Sequence, residues 1–220
     1  MKPRIYNFFN RYDYFFFDFD GVILDSVRIK TEAFKELYSE FGDAIVKKVI
    51  SHHQANGGLS RFKKFRIYHE KFLSRRLSKK EVDALSRRFS AIALKKVLRA
   101  AFIEGALIFL KDCKKRKKKC FVVSGTPDPE IKTIIRRRRL SRFFLAVCGS
   151  PTEKKTHVRR LIKKYGIHAK SAVFFGDSKN DYGAARNNRI NFIGINYNRA
   201  ATNFKNFKHL YKQFSSGSKG

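Results

Sequence analysis

The chain has 220 residues, 43% of them hydrophobic, and its 50 lysines and arginines against 18 acids give a formal charge of +32. This length allows one large domain or a domain with a smaller one inserted. No apolar run reaches the roughly 20 residues that cross a bilayer, and the amino terminus lacks the apolar core of a secretory signal, so we expect a cytoplasmic protein.

The first predicted element is a strand that ends in two carboxylates. The apolar run Tyr14–Phe17 precedes Asp18, Asp20 and Gly21, and such a run indicates a buried parallel strand. Open α/β sheets bind ligands at the carboxyl ends of their strands. Side chains two residues apart share a face, so these carboxylates repel unless a cation or a proton intervenes. The motif favours a metal site, and an ordinary acidic turn is the alternative.

The following segment, up to about residue 100, contains no strand-like apolar run and is predicted to hold three helices. The segments 31–41, 61–73 and 81–98 are predicted to be helical, and in the last of them apolar residues recur at intervals of three and four. Ser78 with Glu81 three residues later resembles a capping box that starts the last of these helices. An all-helical insertion is therefore expected between the first acidic motif and the rest of the chain.

Strands and helices alternate after residue 101. Strands are predicted at 120–124, 143–148, 172–175 and 191–195, with helices at 105–113, 128–138, 155–165 and 181–187. Such alternation predicts a parallel sheet with helices on both faces. The tail from residue 204 has one apolar face if helical, and we expect it to dock on the core, with a basic interfacial helix as the alternative. Residues 215–220 are expected to be disordered.

Four motifs in chain order resemble those of the haloacid dehalogenase superfamily of phosphotransferases. They are Asp18-x-Asp20-Gly21-Val22-x-x-Asp25-Ser26, the strand ending in Ser124-Gly125-Thr126, the lysines Lys154-Lys155, and Gly176-Asp177-Ser178-Lys179-Asn180-Asp181. The resemblance spans roughly residues 14–195. It implies a Rossmann-like catalytic core at 1–26 and 101–203, a helical cap at 27–100 and a basic tail at 204–220. The position of the cap is similar to that in phosphoglycolate phosphatase and β-phosphoglucomutase.

The resemblance also implies a role for each acid. Asp18 would be the nucleophile that forms an aspartyl phosphate, and Asp20 the general acid and base. Dehalogenases of the family lack an acid at the second position, so Asp20 points to phosphatases or phosphomutases. Asp177 would complete a Mg²⁺ site with the Asp18 carboxylate and the Asp20 backbone carbonyl. Asp181 would orient the metal's water ligands, and direct ligation is the alternative.

Phosphoryl binding needs hydrogen-bond donors and a positive charge. Ser124 and the N–H groups near Gly125 would bind a phosphoryl oxygen. A lysine would offset the charge of the nucleophile and the phosphate, and two neighbours compete for this role. Lys154 is favoured over Lys155 because it heads the apolar face of its predicted helix, whereas Lys155 lies beside that face.

The predicted cap supplies three further candidates. Gly57-Gly58-Leu59-Ser60-Arg61 resembles a substrate-specificity loop, in which Arg61 would bind the remote part of a substrate, and Lys64 lies one turn further on. A solvated surface arginine is the alternative for Arg61. His53 is expected to be an exposed helix histidine, with a substrate contact as its alternative.

We therefore predict an Mg²⁺-dependent phosphatase that hydrolyses a small phosphorylated metabolite. A sugar phosphomutase with the same core chemistry is one alternative, and a basic nucleic-acid-binding or scaffold protein on this core is another. Seven of the nine residues 111–119 are basic, and residues 136–139 are four arginines. Because no nucleic-acid-binding motif accompanies them, we expect a solvated basic surface with weak, non-specific attraction to nucleic acid or anionic membranes. The cysteines Cys113, Cys120 and Cys148 are interpreted as reduced thiols.

Overall fold

The computed structural model describes residues 3–215, and a six-stranded parallel sheet forms its centre. The strands are β1 (Tyr14–Phe17), β2 (Lys119–Pro127), β3 (Ala146–Ser150), β4 (Ala172–Gly176), β5 (Asn191–Ile195) and β6 (Asn203–Phe204). Their order in the sheet is β3-β2-β1-β4-β5-β6, and every neighbouring pair is parallel. The predicted α/β fold is confirmed, and β1 occupies the middle of the sheet.

Ten α-helices are described within residues 3–215. They are α1 (Pro3–Arg11), α2 (Val27–Tyr38), α3 (Asp43–Ala55), α4 (Arg61–Phe72), α5 (Lys79–Val97), α6 (Ala106–Lys115), α7 (Asp128–Arg137), α8 (Lys154–Tyr165), α9 (Lys179–Asn187) and α10 (Phe207–Ser215). Helices α2 to α5 lie between β1 and α6 and fill the segment 27–100 that we call the cap. None of the described helices is long and apolar enough to cross a membrane.

Strand β1 is buried because both faces of the sheet are covered. Phe15 and Phe17 point into the larger apolar cluster, whereas Phe16 points into a second cluster on the opposite face. All three side chains are fully buried, as expected when successive side chains of a strand face opposite layers. The ring of Phe16 stacks on Phe121 of β2 with 4.8 Å between ring centroids. This packing fixes the carboxyl end of β1, where Asp18 follows.

The tail docks on the core as a helix. Phe207 and Leu210 of α10 are buried, and the hydroxyl of Tyr211 donates a 2.6 Å hydrogen bond to Asp112 of α6. The interfacial-helix alternative is not what the structure shows, because this apolar face is covered. Ser215 ends α10, which corrects the disorder expected there, and the rest of that segment, 216–220, lies outside the described residues.

Three elements were missed from the sequence, and one strand begins later than predicted. Helices α1 and α3 and the two-residue strand β6 were not predicted. Helix α3 buries only Val49 and His53, so its apolar stripe is too narrow to recognise. Strand β3 begins at Ala146 because residues Ser141–Phe143 form a 3₁₀ turn instead.

Candidate active site

Asp18 lies at the buried carboxyl end of the central strand. Its backbone N–H donates a 2.9 Å hydrogen bond to the carbonyl of Phe175 in β4, and the residue is 3% exposed. The chain then turns sharply at Gly21, which has a φ of 79°. A Cβ atom on Gly21 would lie 3.0 Å from Asp177 Cγ and from Val27 Cγ2, so a glycine is required at this position.

Lys154 joins two of the predicted site acids. Its Nζ lies 2.8 Å from Asp18 Oδ1 and donates a 2.6 Å hydrogen bond to Asp181 Oδ1. Burial alone would lower the pKa of Lys154, but Asp18 and Asp181 hold it above its usual range. Lys155 is exposed and pairs with Glu153 at 3.1 Å. The structure therefore places Lys154, and not Lys155, among the site acids.

Three acids converge on one buried point beside Lys154. Asp18, Asp177 and Asp181 each place one carboxylate oxygen within 4.8 Å of the other two. Burial, then the charge of Asp181, raises the pKa of Asp18 to about 7. Burial and the charge of Asp18 raise the pKa of Asp177 well above its usual range. Lys154 Nζ lies against Asp18 Oδ1, and the carboxylate has further lone pairs that can bind a cation.

Asp20 lies in a different environment from Asp18. Ser26 donates a 2.6 Å hydrogen bond to its Oδ1, while Lys30 forms an ion pair with its Oδ2 and Thr126 donates to the same oxygen at 3.0 Å. Burial alone would raise the pKa of Asp20, but Lys30 and these hydrogen bonds lower it below its usual range. Asp20 is therefore ionised in this arrangement and ready to accept a proton.

Sequence reasoning did not find Lys30 or Thr126. Lys30 is one of 50 cations and lies ten residues after Asp20, so no spacing distinguishes it. Thr126 follows the predicted Ser124-Gly125 pair, and its position two residues beyond Ser124 was the available signal. Lys30 Nζ also donates a 2.6 Å hydrogen bond to Thr126 Oγ1, so these two residues hold Asp20 as a unit.

The strand end that carries Ser124 is covered by the cap. Ser124 is buried, and its Oγ accepts a 3.1 Å hydrogen bond from the N–H of Thr126. A Cβ atom on Gly125 would lie 2.6 Å from the carbonyl oxygen of Gly58, so this cap loop lies directly against Gly125. Asn180 donates a 2.8 Å hydrogen bond to the same carbonyl. The cap loop is thus held over the carboxyl end of the sheet.

A cavity of about 590 Å³ lies between the cap and the core. Its core wall includes Asp18, Asp20 and Asp177, and its cap wall includes Lys64 and Arg61. Lys30 stands between the two walls beside Asp20. The cavity thus joins the acid cluster to a positively charged wall, which suits a small anionic ligand.

Arg61 does not present free donors to this cavity. Its guanidinium binds both carboxylate oxygens of Glu130 in α7, at 3.0 and 2.6 Å, and donates to Ser90 Oγ at 2.8 Å. It also stacks over the ring of Phe89 at 4.3 Å. Arg61 is buried, which excludes the solvated alternative. These hydrogen bonds link the cap to the core, and a contact between Arg61 and a substrate stays a prediction.

Lys64 and His53 form a buried pair on the cap wall. Lys64 Nζ lies 2.7 Å from His53 Nδ1. Burial, then Lys30, lowers the pKa of Lys64 to about 7. Burial, then Lys64, lowers the pKa of His53 to about 3. The expectation of an exposed His53 is wrong, because α3 turns it inward against the ring of Phe34, 4.7 Å away.

Comparison with known proteins agrees with this geometry. The profile of the haloacid dehalogenase-like hydrolases matches residues 15–195. The chain therefore belongs to the haloacid dehalogenase-like hydrolases, as the sequence predicted, and is an enzyme of that class. A search of curated protein sequences gave no significant match.

Solved structures share the fold over almost the whole chain. A predicted phosphatase from Clostridium acetobutylicum has a TM-score of 0.73 at 20% identity, covering 92% of this chain and 97% of that one. A predicted phosphoglycolate phosphatase from Haemophilus somnus has a TM-score of 0.70 at 18% identity, covering 92% and 98%. A provisionally named β-phosphoglucomutase from Bacteroides vulgatus has a TM-score of 0.76 at 16% identity, covering 96% and 94%. At these identities the likeness establishes the fold.

Proposed function

We propose that this protein is an Mg²⁺-dependent phosphatase that hydrolyses a small phosphate monoester through an aspartyl phosphate on Asp18. The observation that carries the proposal is the contrast between two neighbouring carboxylates. Asp18 lies against Lys154 in the acid cluster, whereas Asp20 lies outside that cluster and is held by Lys30 and Thr126. Two carboxylates in different environments suit two different chemical roles.

In the first half of the reaction, an oxygen of Asp18 attacks phosphorus and the bond between phosphorus and the ester oxygen breaks. The departing oxygen takes a proton from Asp20. A phosphate dianion beside Asp20 raises the pKa of that carboxyl by like-charge repulsion, so substrate binding favours the protonated form. Lys154 offsets the charge of Asp18 and of the entering phosphate.

In the second half, a water molecule attacks phosphorus and Asp20 accepts its proton. The bond between phosphorus and Asp18 breaks, which releases phosphate and restores the carboxylate. Asp20 has just given its proton to the alcohol, so it is a carboxylate that can accept a proton from this water. The cap loop at Gly58 and the Arg61–Glu130 link limit the access of bulk water to the site.

The residues present fit a hard divalent cation. Three crowded carboxylates offer the oxygen ligands that Mg²⁺ prefers. Asp18 and Asp177 would hold the ion, with the Asp20 carbonyl as the resemblance implies and Asp181 oriented toward its waters. When bound, Mg²⁺ supplies positive charge to the phosphoryl oxygens.

The cavity supports a small anionic substrate. Its volume of about 590 Å³ and its cationic cap wall suit a sugar or organic-acid monophosphate.

Cys113 and Cys120 are buried free thiols, which supports a reducing compartment such as the cytoplasm.

The proposal is tested by a screen of phosphorylated metabolites that measures phosphate release with Mg²⁺ and with EDTA. We expect release from at least one monoester, dependent on Mg²⁺. An isomerised phosphate ester without free phosphate would establish the phosphomutase alternative instead. Full activity after exhaustive chelation would contradict the metal part, and no reaction with any ester would favour the scaffold alternative.

A further inference from the structure

Basic residues that are scattered along the sequence come together at the amino-terminal ends of the strands, on the side of the sheet opposite the candidate active site. Helices α6, α7, α8 and α9 all end on this side, and each carries basic residues in its last turn. The chain then enters β2, β3, β4 and β5 there. Residues 111–119, 136–142, 159–170 and 186–189 hold nineteen lysines and arginines, with Asp112 as their one acid. We call this surface the amino edge.

The loops of the amino edge lie side by side. The backbone N–H of Lys119, at the start of β2, donates a 2.9 Å hydrogen bond to the carbonyl of Asp13. The N–H of Asp13 in turn donates a 2.9 Å hydrogen bond to the carbonyl of Ser171, which precedes β4. Leu145 before β3 donates to Cys120 at 2.8 Å. With strands spaced by about 4.8 Å, the row from β3 to β5 is roughly 19 Å long. One nucleic-acid strand, with a phosphate about every 3.4 Å, presents about five or six phosphates over that length.

Asp13 and Asp112 are acids that lie beside these cations, and Asp112 is the one within the sequence ranges given above. Asp13 is paired with Lys118 at 2.8 Å, and Asp112 accepts the hydrogen bond from Tyr211. Lys114, Lys117 and Lys164 are exposed. The amino edge thus presents a row of cations at the end of the sheet away from Asp18.

Three of the four helices that end at the amino edge are followed by a cation in a left-handed backbone conformation, whereas α8 is followed by Gly166. Lys117, Arg139 and Arg189 follow the C-caps of α6, α7 and α9 with φ values of 57°, 56° and 55°. Helices usually place glycine at this left-handed position, because a Cβ atom clashes there. The helix dipole favours cations in the last turn of a helix. It does not explain why a cation takes the left-handed position after the C-cap, where glycine is the usual residue. Three cations therefore occupy sites where the backbone disfavours any side chain.

We propose that the amino edge binds the phosphate backbone of nucleic acid, independently of its sequence and away from the active site. A row of cations matches a row of phosphates, and it carries no pattern for reading bases. A membrane surface fits less well, because interfacial binding also buries apolar side chains. Within residues 7–214, where side-chain burial is described, Leu145 is the one large apolar residue exposed at this edge.

The test uses the full chain and a labelled single-stranded RNA of arbitrary sequence, with binding measured by fluorescence anisotropy between about 50 and 200 mM salt. We expect the logarithm of the affinity to fall linearly with the logarithm of the salt concentration. The variant Lys117→Gly/Arg139→Gly/Arg189→Gly should lose about tenfold in affinity and reduce the salt slope by about 2, since each phosphate contact contributes about 0.7 for single strands. Its melting temperature should not fall, because glycine suits all three backbone positions.

A control variant separates this surface from the overall charge. Lys35→Ala/Lys47→Ala/Lys48→Ala removes three exposed cations from the cap, and its affinity for the RNA should change less than twofold. Equal losses in the two variants would overturn the proposal, as would competition between RNA and a phosphate-ester substrate for the active site. Binding to phosphatidylserine vesicles without RNA binding would overturn it in favour of a membrane partner.

Discussion

Arg61 of the cap and Glu130 of the core form a bidentate ion pair, with Nη2 of Arg61 2.6 Å from Oε1 of Glu130. Both side chains are largely buried, and Ser90 donates a hydrogen bond to the same carboxylate. The pair joins α4 to the first turn of α7, so it fixes the position of the cap above the acid cluster. Arg61 therefore influences the site through cap position.

Because the pair acts through cap position, Arg61→Met and Glu130→Gln should lower kcat/KM for every substrate. We expect losses of about tenfold to a hundredfold, since each change leaves its partner buried and unpaired. The measurement compares the best metabolite with a small aryl phosphate that cannot reach the cap wall. The double variant should lose less than the product of the single losses. A loss confined to the metabolite would instead assign Arg61 to substrate binding.

Lys64→Met should stabilise the protein and weaken substrate binding. The pKa of Lys64 falls to about 7 on folding, so between about pH 7 and pH 10 the unfolded state binds a proton that the folded state has released. The free energy of unfolding contributed by Lys64 thus rises with pH over this window and is lowest below it. Denaturant titration at pH 7 should show a gain on the order of 2 kcal/mol in Lys64→Met, without that rise with pH.

The matched control for Lys64 is its neighbour Lys63, which is exposed and pairs with Glu153. Lys63→Met should change stability by less than about 1 kcal/mol and leave KM unchanged. A destabilised Lys64→Met protein, or one with an unchanged KM, would contradict the position of Lys64 as a desolvated cation on the substrate cavity.

Lys154 and Lys155 offer a direct comparison between two adjacent lysines. Lys154→Ala should lower kcat by at least about a hundredfold, because it removes the cation that contacts Asp18. Lys155→Ala should leave kcat within about twofold, because Lys155 is exposed and pairs only with Glu153 among the contacts described. Similar effects of the two changes would show that the ion pair with Asp18 has no part in catalysis.

Mg²⁺ should raise the melting temperature of the protein, because it relieves the repulsion among Asp18, Asp177 and Asp181. Asp177→Asn should melt at a higher temperature than the unaltered protein in EDTA, since it removes one of the crowded charges. It should also lose the response to Mg²⁺. Asp25→Asn, at an exposed residue of the neighbouring turn, should keep that response. An Asp177→Asn protein stabilised by Mg²⁺ as fully as the parent would place the metal elsewhere.

The sequence predicted the elements that carry strong local patterns. The apolar runs before Asp18 and Asp177 are buried on both faces in the structure, so each reads as a continuous strand. The alternation after residue 101 identified the parallel sheet, and helix phasing distinguished Lys154 from Lys155. The grouping of Asp18, Asp177 and Lys154 followed from their positions at strand ends and at a helix start.

The contacts that the sequence did not predict depend on tertiary packing. Lys30 binds Asp20, which lies 10 residues away in the sequence, and Arg61 binds Glu130, which lies 69 residues away. The sequence does not distinguish Lys30 or Arg61 from the other lysines and arginines, which number 50 in all. His53 is buried because α3 packs against Phe34 of α2, and α3 itself was not predicted. The charges of the amino edge are adjacent only because the order of the strands brings their loops together.

The account rests on Asp18 as the nucleophile, and the most direct test is to trap the phosphorylated enzyme. A reaction with the best ester and Mg²⁺ is quenched with acid during the first turnover, and the peptides are analysed by mass spectrometry. We expect one phosphoryl group on the peptide that contains Asp18. A folded Asp18→Asn protein should show neither this phosphoryl group nor turnover of the ester. Sustained turnover by Asp18→Asn, or a phosphoryl group on another residue such as Ser124, would contradict the account.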